Sequence, residues 1–254
     1  MKHYDQMVEL GCFSRIELAD KLGCSIATAA SIIQQYLAKG YIERVRHNFY
    51  VVINLATKQP LFSNYALGSR LFPDAFVSYH SAFEVYGYAN QVFFEITVTS
   101  KHRFRDFNYQ GVTFRRASPK GDPEVISEGL IRVSGLERTV VDCIDDIARA
   151  GGLEELVRCL MLVPSLRAER LLDALSDYKN GFLYQKTGYL MEQMNEEFLL
   201  PPSFFDICKK RISGANRYLV KEPIDYEFHE KWNLYAPSNI KKIVNKGIVE
   251  NAEI

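Results

Sequence analysis

The chain has 254 residues, of which 47% are hydrophobic, 24% charged and 13% aromatic; at roughly 150 residues per domain this is one large or two modest globular domains, and a disordered chain is excluded. Thirty-one basic residues balance thirty-one acidic ones, so net charge names no partner and only its local distribution can. No apolar run approaches the roughly 18 residues of a membrane span, and the start Met1-Lys2-His3-Tyr4-Asp5-Gln6 lacks the apolar core of a signal peptide, which predicts a cytoplasmic protein with no membrane partner.

From the N-terminus, Ser14 is a candidate N-cap, and Glu17 three residues on completes a capping box ahead of Ile16, Leu18, Ala19 and Leu22. Gly23 ends that helix, because the left-handed conformation costs least without a Cβ. Ser25 caps a second helix from Ile26 to about Lys39, closed by Gly40. At the 3.6-residue period Ile26, Ala29, Ala30, Ile33 and Leu37 share its inner face. Thr28, Ser31 and Gln35 point the other way, with Ala27 and Gln34 beside them. Residues 41–46 and 49–52 then read as two strands around a His47-Asn48 turn.

That order is a winged helix-turn-helix, assigned to residues 1–57. Its outer helix face is short, polar and uncharged, which suits a recognition helix in the major groove of double-stranded DNA. Ser25, Ala27, Thr28, Ser31, Gln34 and Gln35 are the candidate base-facing residues, and Arg44, Arg46 and His47 the candidate phosphate contacts on the wing. Residues 24 to 58 hold Lys39, Arg44, Arg46 and Lys58 against Glu43 alone, a modest positive excess.

Residues 58–254 form the expected second domain, an α/β part to residue 150 and a mainly helical part beyond it, so the fold class is α+β. Two helical stretches are predicted between Tyr65 and Gly87, strands at Val92 to Thr99 and Gly111 to Arg116, and a helix from Leu136 to Arg149 broken by Gly151-Gly152. Amphipathic helices follow at Leu153 to Leu162, Ser165 to Tyr178 and Leu183 to Glu196, and then a polar, lysine-rich tail in which Trp232 docks on the body. The acids between 142 and 177, among them Asp142, Asp145, Asp146, Glu154, Glu155, Glu169, Asp173 and Asp177, are expected mostly on solvated helix faces.

Glu17-Leu18-Ala19, Gly40-Tyr41-Ile42-Glu43-Arg44-Val45 with Tyr50, Ser78-Tyr79-His80-Ser81-Ala82 with Gly87, and Glu137-Arg138-Thr139-Val140-Val141-Asp142 together resemble the AbiEi-type antitoxins of bacterial abortive-infection (type IV) toxin–antitoxin systems. The resemblance covers residues 14 to about 150. It implies a winged helix joined to an antitoxin domain, repression of the protein's own operon, and opposition to a nucleotidyltransferase-like toxin, met directly or through its target. A homodimer on DNA fits the same reading. Where such wings often carry glycine at the tip this chain has His47-Asn48, and Asn tolerates the left-handed conformation.

Read from the residues alone, Ser78, His80 and Ser81 at one helix start, and Glu137, Arg138 and Asp142 on another helix, are groups that join elements through buried hydrogen bonds. Two catalytic alternatives stand beside that reading: a triad of Ser81 or Ser78 with His80 and Asp142, and a degenerate metal-dependent nuclease built on Asp74 and Glu95, with Thr97 where a lysine belongs. No nucleophile elbow is present, so no catalytic residue is assigned and an enzyme is not expected. Cys12, Cys24, Cys143, Cys159 and Cys208 are odd in number and far apart, which suggests neither disulfides nor a metal, and no cofactor motif occurs. Lys101, Arg103, Arg105, Arg115, Arg116 and Lys120 face only Asp106 and alternate with aromatics, a candidate nucleic-acid or partner patch, or else a strand edge whose rings point inward. A non-DNA-binding interaction module is the competing functional reading.

Overall fold

The computed structural model of the chain describes residues 2–221 and 226–244. They form a mixed α+β protein with eleven α-helices, one 3-10 helix and three sheets among the described residues. No helix is long and apolar enough to cross a membrane. Two compact units divide the chain. The first comprises residues to Val77, Phe94–Ser118 and Ser127–Arg132; the second takes Ser78–Phe93, Pro119–Ile126 and the chain from Val133 onward. The division therefore does not fall at residue 58: residues 58–77 stay with the N-terminal region.

In the first unit, α1 (Tyr4–Leu10), β1 (Cys12–Phe13), α2 (Arg15–Leu22), α3 (Ile26–Ala38), β2 (Ile42–Arg46) and β3 (Phe49–Val52) follow one another. Both helix starts are made by the expected side chains. Ser14 Oγ accepts from Glu17 N at 3.3 Å while the Glu17 carboxylate accepts from Ser14 N at 2.6 Å, and Ser25 Oγ accepts from Thr28 N at 3.1 Å, each such cap contributing about 1 kcal/mol. Gly23 adopts φ 61°, ψ 38°, so α2 stops where a Cβ would be strained. The three strands pair in the order β1-β3-β2. Met7, Phe13, Leu18, Ala29, Ile33, Tyr36, Ile42 and Val52 form the core beneath α3. Ile26, expected on the inner face, is exposed because it is the first residue of the helix, a turn ahead of Ala29, and Tyr36 is buried instead.

The same unit continues through α4 (Asn64–Ser69) and β4 (Phe76–Val77) to β5 (Glu95–Thr99), β6 (Phe107–Tyr109) and β7 (Val112–Ala117), and takes residues 127–132 of the hairpin of β8 (Val125–Glu128) and β9 (Ile131–Ser134); the strand order is β6-β7-β5-β4-β9-β8. β5 runs parallel to β7 and antiparallel to β4. Helix α4 approaches so closely that a Cβ on Gly68 would stand 3.0 Å from Val98 Cγ2.

The second unit holds α5 (His80–Tyr86), α6 (Leu136–Asp145), α7 (Leu153–Leu162), α8 (Ala168–Tyr178), α9 (Gly181–Gln193), α10 (Asn195–Phe198) and α11 (Pro202–Arg211). Its lysine-rich end is not a loose tail. There β10 (Arg217–Tyr218), β11 (Tyr226–His229) and β12 (Leu234–Pro237) form a sheet in the order β10-β12-β11, while Lys246 lies outside the described residues. Trp232 docks as expected: it is 1% exposed, and its Nε1 donates to Glu192 at 2.7 Å. Gly188 of α9 makes room for it, since a Cβ there would come within 2.2 Å of the indole. Gly188→Ala is expected to cost roughly 1–3 kcal/mol by overpacking, measured as an earlier urea midpoint in the fluorescence of Trp232, the sole tryptophan.

Candidate nucleic-acid interface

The outer face of α3 presents the expected residues. Ser25, Ala27, Thr28, Ser31, Gln34 and Gln35 are all exposed. Their hydroxyls are partly engaged in the helix itself: Ser25 Oγ and Thr28 Oγ1 share a hydrogen bond of 2.9 Å, and Ser31 Oγ donates to Ala27 O at 3.2 Å. Such local bonds hold the rotamers without burying the oxygens, so each keeps acceptor capacity toward a base edge. Gln34 and Gln35 carry the only long side chains on this face, each able to donate and accept at once.

The hairpin differs from its expected role at one position. Arg44 and His47 are exposed, and the Arg44 guanidinium lies 5.9 Å from the Tyr50 ring centroid. Arg46 does not project as a phosphate contact. Its guanidinium sits 4.9 Å from the Phe72 ring, 5.7 Å from Phe104 and 5.8 Å from Phe107, and burial lowers its pKa. Desolvated cation–π contacts of this kind contribute about 2 kcal/mol. The neighbouring residues are held too. Asn48, at φ 58°, accepts from Arg15 N at 3.2 Å and Arg15 Nε at 2.8 Å, and Glu43 accepts from the Tyr109 hydroxyl at 2.7 Å and Gln110 Nε2 at 3.0 Å.

The basic stretch after residue 100 is divided. Lys101, Arg103 and Arg105 are exposed in the first unit, whereas Lys120 belongs to the second. Arg115 is paired with Glu95 at 2.6 Å and Asp106 at 3.5 Å, and Arg116 donates to the carbonyls of His102 and Ser100. Phe114 and Tyr109 are buried and Phe107 stacks on Phe114 with centroids 4.8 Å apart, so the rings of this patch pack inward. The two nuclease candidates are likewise occupied. Asp74 accepts from Ser100 Oγ, Lys101 N and His102 Nδ1, and although burial opposes it, these hydrogen bonds hold its carboxyl at about 2. Glu95 is the partner of Arg115.

In the second unit the two sequence motifs build separate buried networks. His80 lies between Glu84 and Glu155, each 3.0 Å from a ring nitrogen, and stacks on Phe93 at 4.1 Å. Asp142 instead accepts from Arg138 Nε at 2.6 Å and from the Tyr178 hydroxyl, so Ser81 or Ser78, His80 and Asp142 do not converge as a triad. Arg138 also reaches Asp177 at 2.8 Å and the Lys120 carbonyl at 2.7 Å, while Glu137 caps the start of α8 by accepting from Arg167 N. Burial raises the Asp142 carboxyl to about 6 against the pull of Arg138 and Tyr178. Asp142 and Glu155 are thus buried partners and not solvated acids. Sequence reasoning missed Glu84 and Glu155 as partners of His80. The one available signal was Glu84 four residues after His80 on the same helix face.

His80, Glu155 and Cys159 offer ligand atoms within 4.8 Å of one another. Glu155 Oε1, however, already accepts from His80, Asn90 N, Gln91 N and Cys159, and burial pushes the Cys159 thiol up to about 12. These donors are spent on each other, in a network that joins α5 to α7.

No family model matches the chain, and no curated protein sequence matches it. Among solved structures it is similar to the RV2827C protein of Mycobacterium tuberculosis, with a TM-score of 0.62 at 14% identity over 94% of this chain and 89% of that one. At that identity the likeness is one of fold.

Two outcomes are expected. Arg46→Ala lowers stability by about 1–2 kcal/mol in chemical denaturation, whereas Arg44→Ala stays within about 0.5 kcal/mol. His80, held charged by its two carboxylates against the opposing effect of burial, has a pKa raised above 6.5. A raised folded-state pKa stabilises fully below the unfolded value and loses its effect as pH rises through the folded one. Unfolding free energy is therefore expected to fall as pH rises above 6.5, and that fall is smaller in His80→Asn, which leaves only the upper end of the Asp142 titration.

Proposed function

We propose that the N-terminal region is a winged helix that binds double-stranded DNA, and that the protein is a transcriptional regulator of its own operon with an antitoxin role, of the AbiEi type. The observation that carries this reading is α3: a capped helix whose outward face offers Thr28, Ser31, Gln34 and Gln35 with no charged residue among them. A face of hydroxyls, carboxamides and a small Ala27 is shaped for base edges. A solvated helix in a balanced protein more often carries Lys and Glu there. Phosphate contact in this reading belongs to the exposed Arg44 and His47, with Arg46 serving to fix the hairpin. The likeness of the motifs around His80 and Arg138 to antitoxins supports opposition to a nucleotidyltransferase-like toxin as the task of the rest of the chain.

A second reading is favoured by the hairpin itself. Glu43, Arg46 and Asn48 are all engaged inside the first unit, as in an interaction module in which the wing serves packing. Gel-shift titrations with the upstream region of its operon separate the two. Arg44→Ala is expected to weaken binding alike on all sequences and reduce the salt slope by about 1, whereas Gln35→Ala changes the preferred site. Binding that neither substitution alters, together with a pull-down of the adjacent gene product that ignores changes in α3, establishes the interaction module instead.

A further inference from the structure

The first unit contains a cleft of about 820 Å³ between the hairpin tip, the start of α2 and the sheet. Three arginines and a histidine are among the residues that line it: Arg46, Arg70, Arg132 and His47. Among the described residues none of the four forms an ion pair with a carboxylate. Arg46 rests on Phe72, Arg70 lies 4.9 Å from the Phe62 ring centroid, and Arg132 donates to the Pro73 carbonyl. The single acid in the cleft, Glu17, is spent on the Ser14 amide in the α2 capping box.

Like charges gathered in one concavity repel, and these three arginines lack the carboxylate partner that Arg115, Arg138, Arg149, Arg158 and Arg170 each have. The same cleft also exposes two large aliphatic side chains, Ile16 at 55% and Leu130 at 58%. Three arginines that form no ion pair, against the single carboxylate of Glu17, beside solvated apolar surface are complementary to a ligand with an anionic end and a flat or apolar body. Guanidinium forks suit phosphate, which accepts two parallel hydrogen bonds from each, and the volume lies in the range of small-molecule sites.

We propose that this cleft binds a nucleoside di- or triphosphate, its phosphates on Arg70, Arg132 and His47 and its base against Ile16 and Leu130. Nothing in this assignment depends on whether α3 reads DNA.

Isothermal titration of the full chain with the four ribonucleoside diphosphates, the matching nucleosides and inorganic phosphate tests it. A saturable, salt-sensitive complex is expected with at least one diphosphate, the nucleoside binding about tenfold or more weaker because it lacks the charge-assisted contacts. Arg70→Glu, at an exposed position, and separately Arg132→Gln are each expected to weaken the complex about tenfold or more, whereas Arg103→Glu on exposed surface of the same unit leaves it within about twofold. Circular dichroism melting confirms that each variant is folded, and Arg70→Glu suffices if Arg132→Gln is not. Absence of saturation to about 1 mM, equal affinity for nucleoside and diphosphate, or indifference to Arg70→Glu overturns the proposal. So does a result in which Arg70→Glu weakens duplex DNA binding while no nucleotide binds, which makes the cleft a seat for the phosphate backbone. Gln35→Ala, expected to leave nucleotide affinity unchanged, keeps a failure of the DNA reading distinct from a failure of this one.

Discussion

The guanidinium of Arg46 is laid on the rings of Phe72, Phe104 and Phe107, and this contact anchors the N-terminal hairpin. This placement decides what the N-terminal hairpin can touch. With Arg46 anchored among Phe72, Phe104 and Phe107, and Glu43 bonded to Tyr109 and Gln110, strand β2 is fixed to the sheet of the first unit along its length. What remains free at the tip is Arg44, His47 and the concave space beside them. The anchoring also explains why residues 58–77 belong with the N-terminal region: the rings that receive Arg46 all lie beyond the expected boundary, Phe72 within that very segment.

The second unit solves a different problem, how to bury charge. His80 takes two carboxylates, Arg138 takes two more, and the remaining lone pairs are met by Asn90, Gln91 and Tyr178. Buried ion pairs of this type add little net stability over apolar packing, but removing one partner leaves a stranded charge. Their value lies in specifying which helix meets which, α5 with α7 and α6 with α8. The Ser-Tyr-His-Ser and Glu-Arg-Thr motifs are the sequence trace of those two junctions.

Where local chemistry decides structure, the sequence was legible. Ser14 with Glu17, Gly23 and Ser25 act through atoms a few residues apart, so both helices and their ends could be read, and so could the exposed face of α3. Asn48 at the hairpin tip adopts the left-handed conformation its type tolerates. Elements set by distant partners were hidden. Strands β1 and β4 are two residues each and exist only through pairing, and the β10–β12 sheet lies in a stretch whose lysines read as solvent-facing. Arg46 alternates with Arg44 and Glu43 like any wing cation, and no local pattern tells that Phe72, Phe104 and Phe107 assemble opposite it. Glu155 looked like an ordinary helix acid because its partner His80 is 75 residues away.

The way the chain is shared between its units bears on its synthesis. It passes from one to the other after Val77, Phe93, Ser118, Ile126 and Arg132. A nascent polypeptide emerging from the ribosome therefore cannot finish the first unit until Arg132 has cleared the exit tunnel, by which time two stretches of the second are already waiting, unburied, for helices not yet translated. No single cut excises either part whole, and the long sequence separations to be closed make slower folding the kinetic cost of this threading.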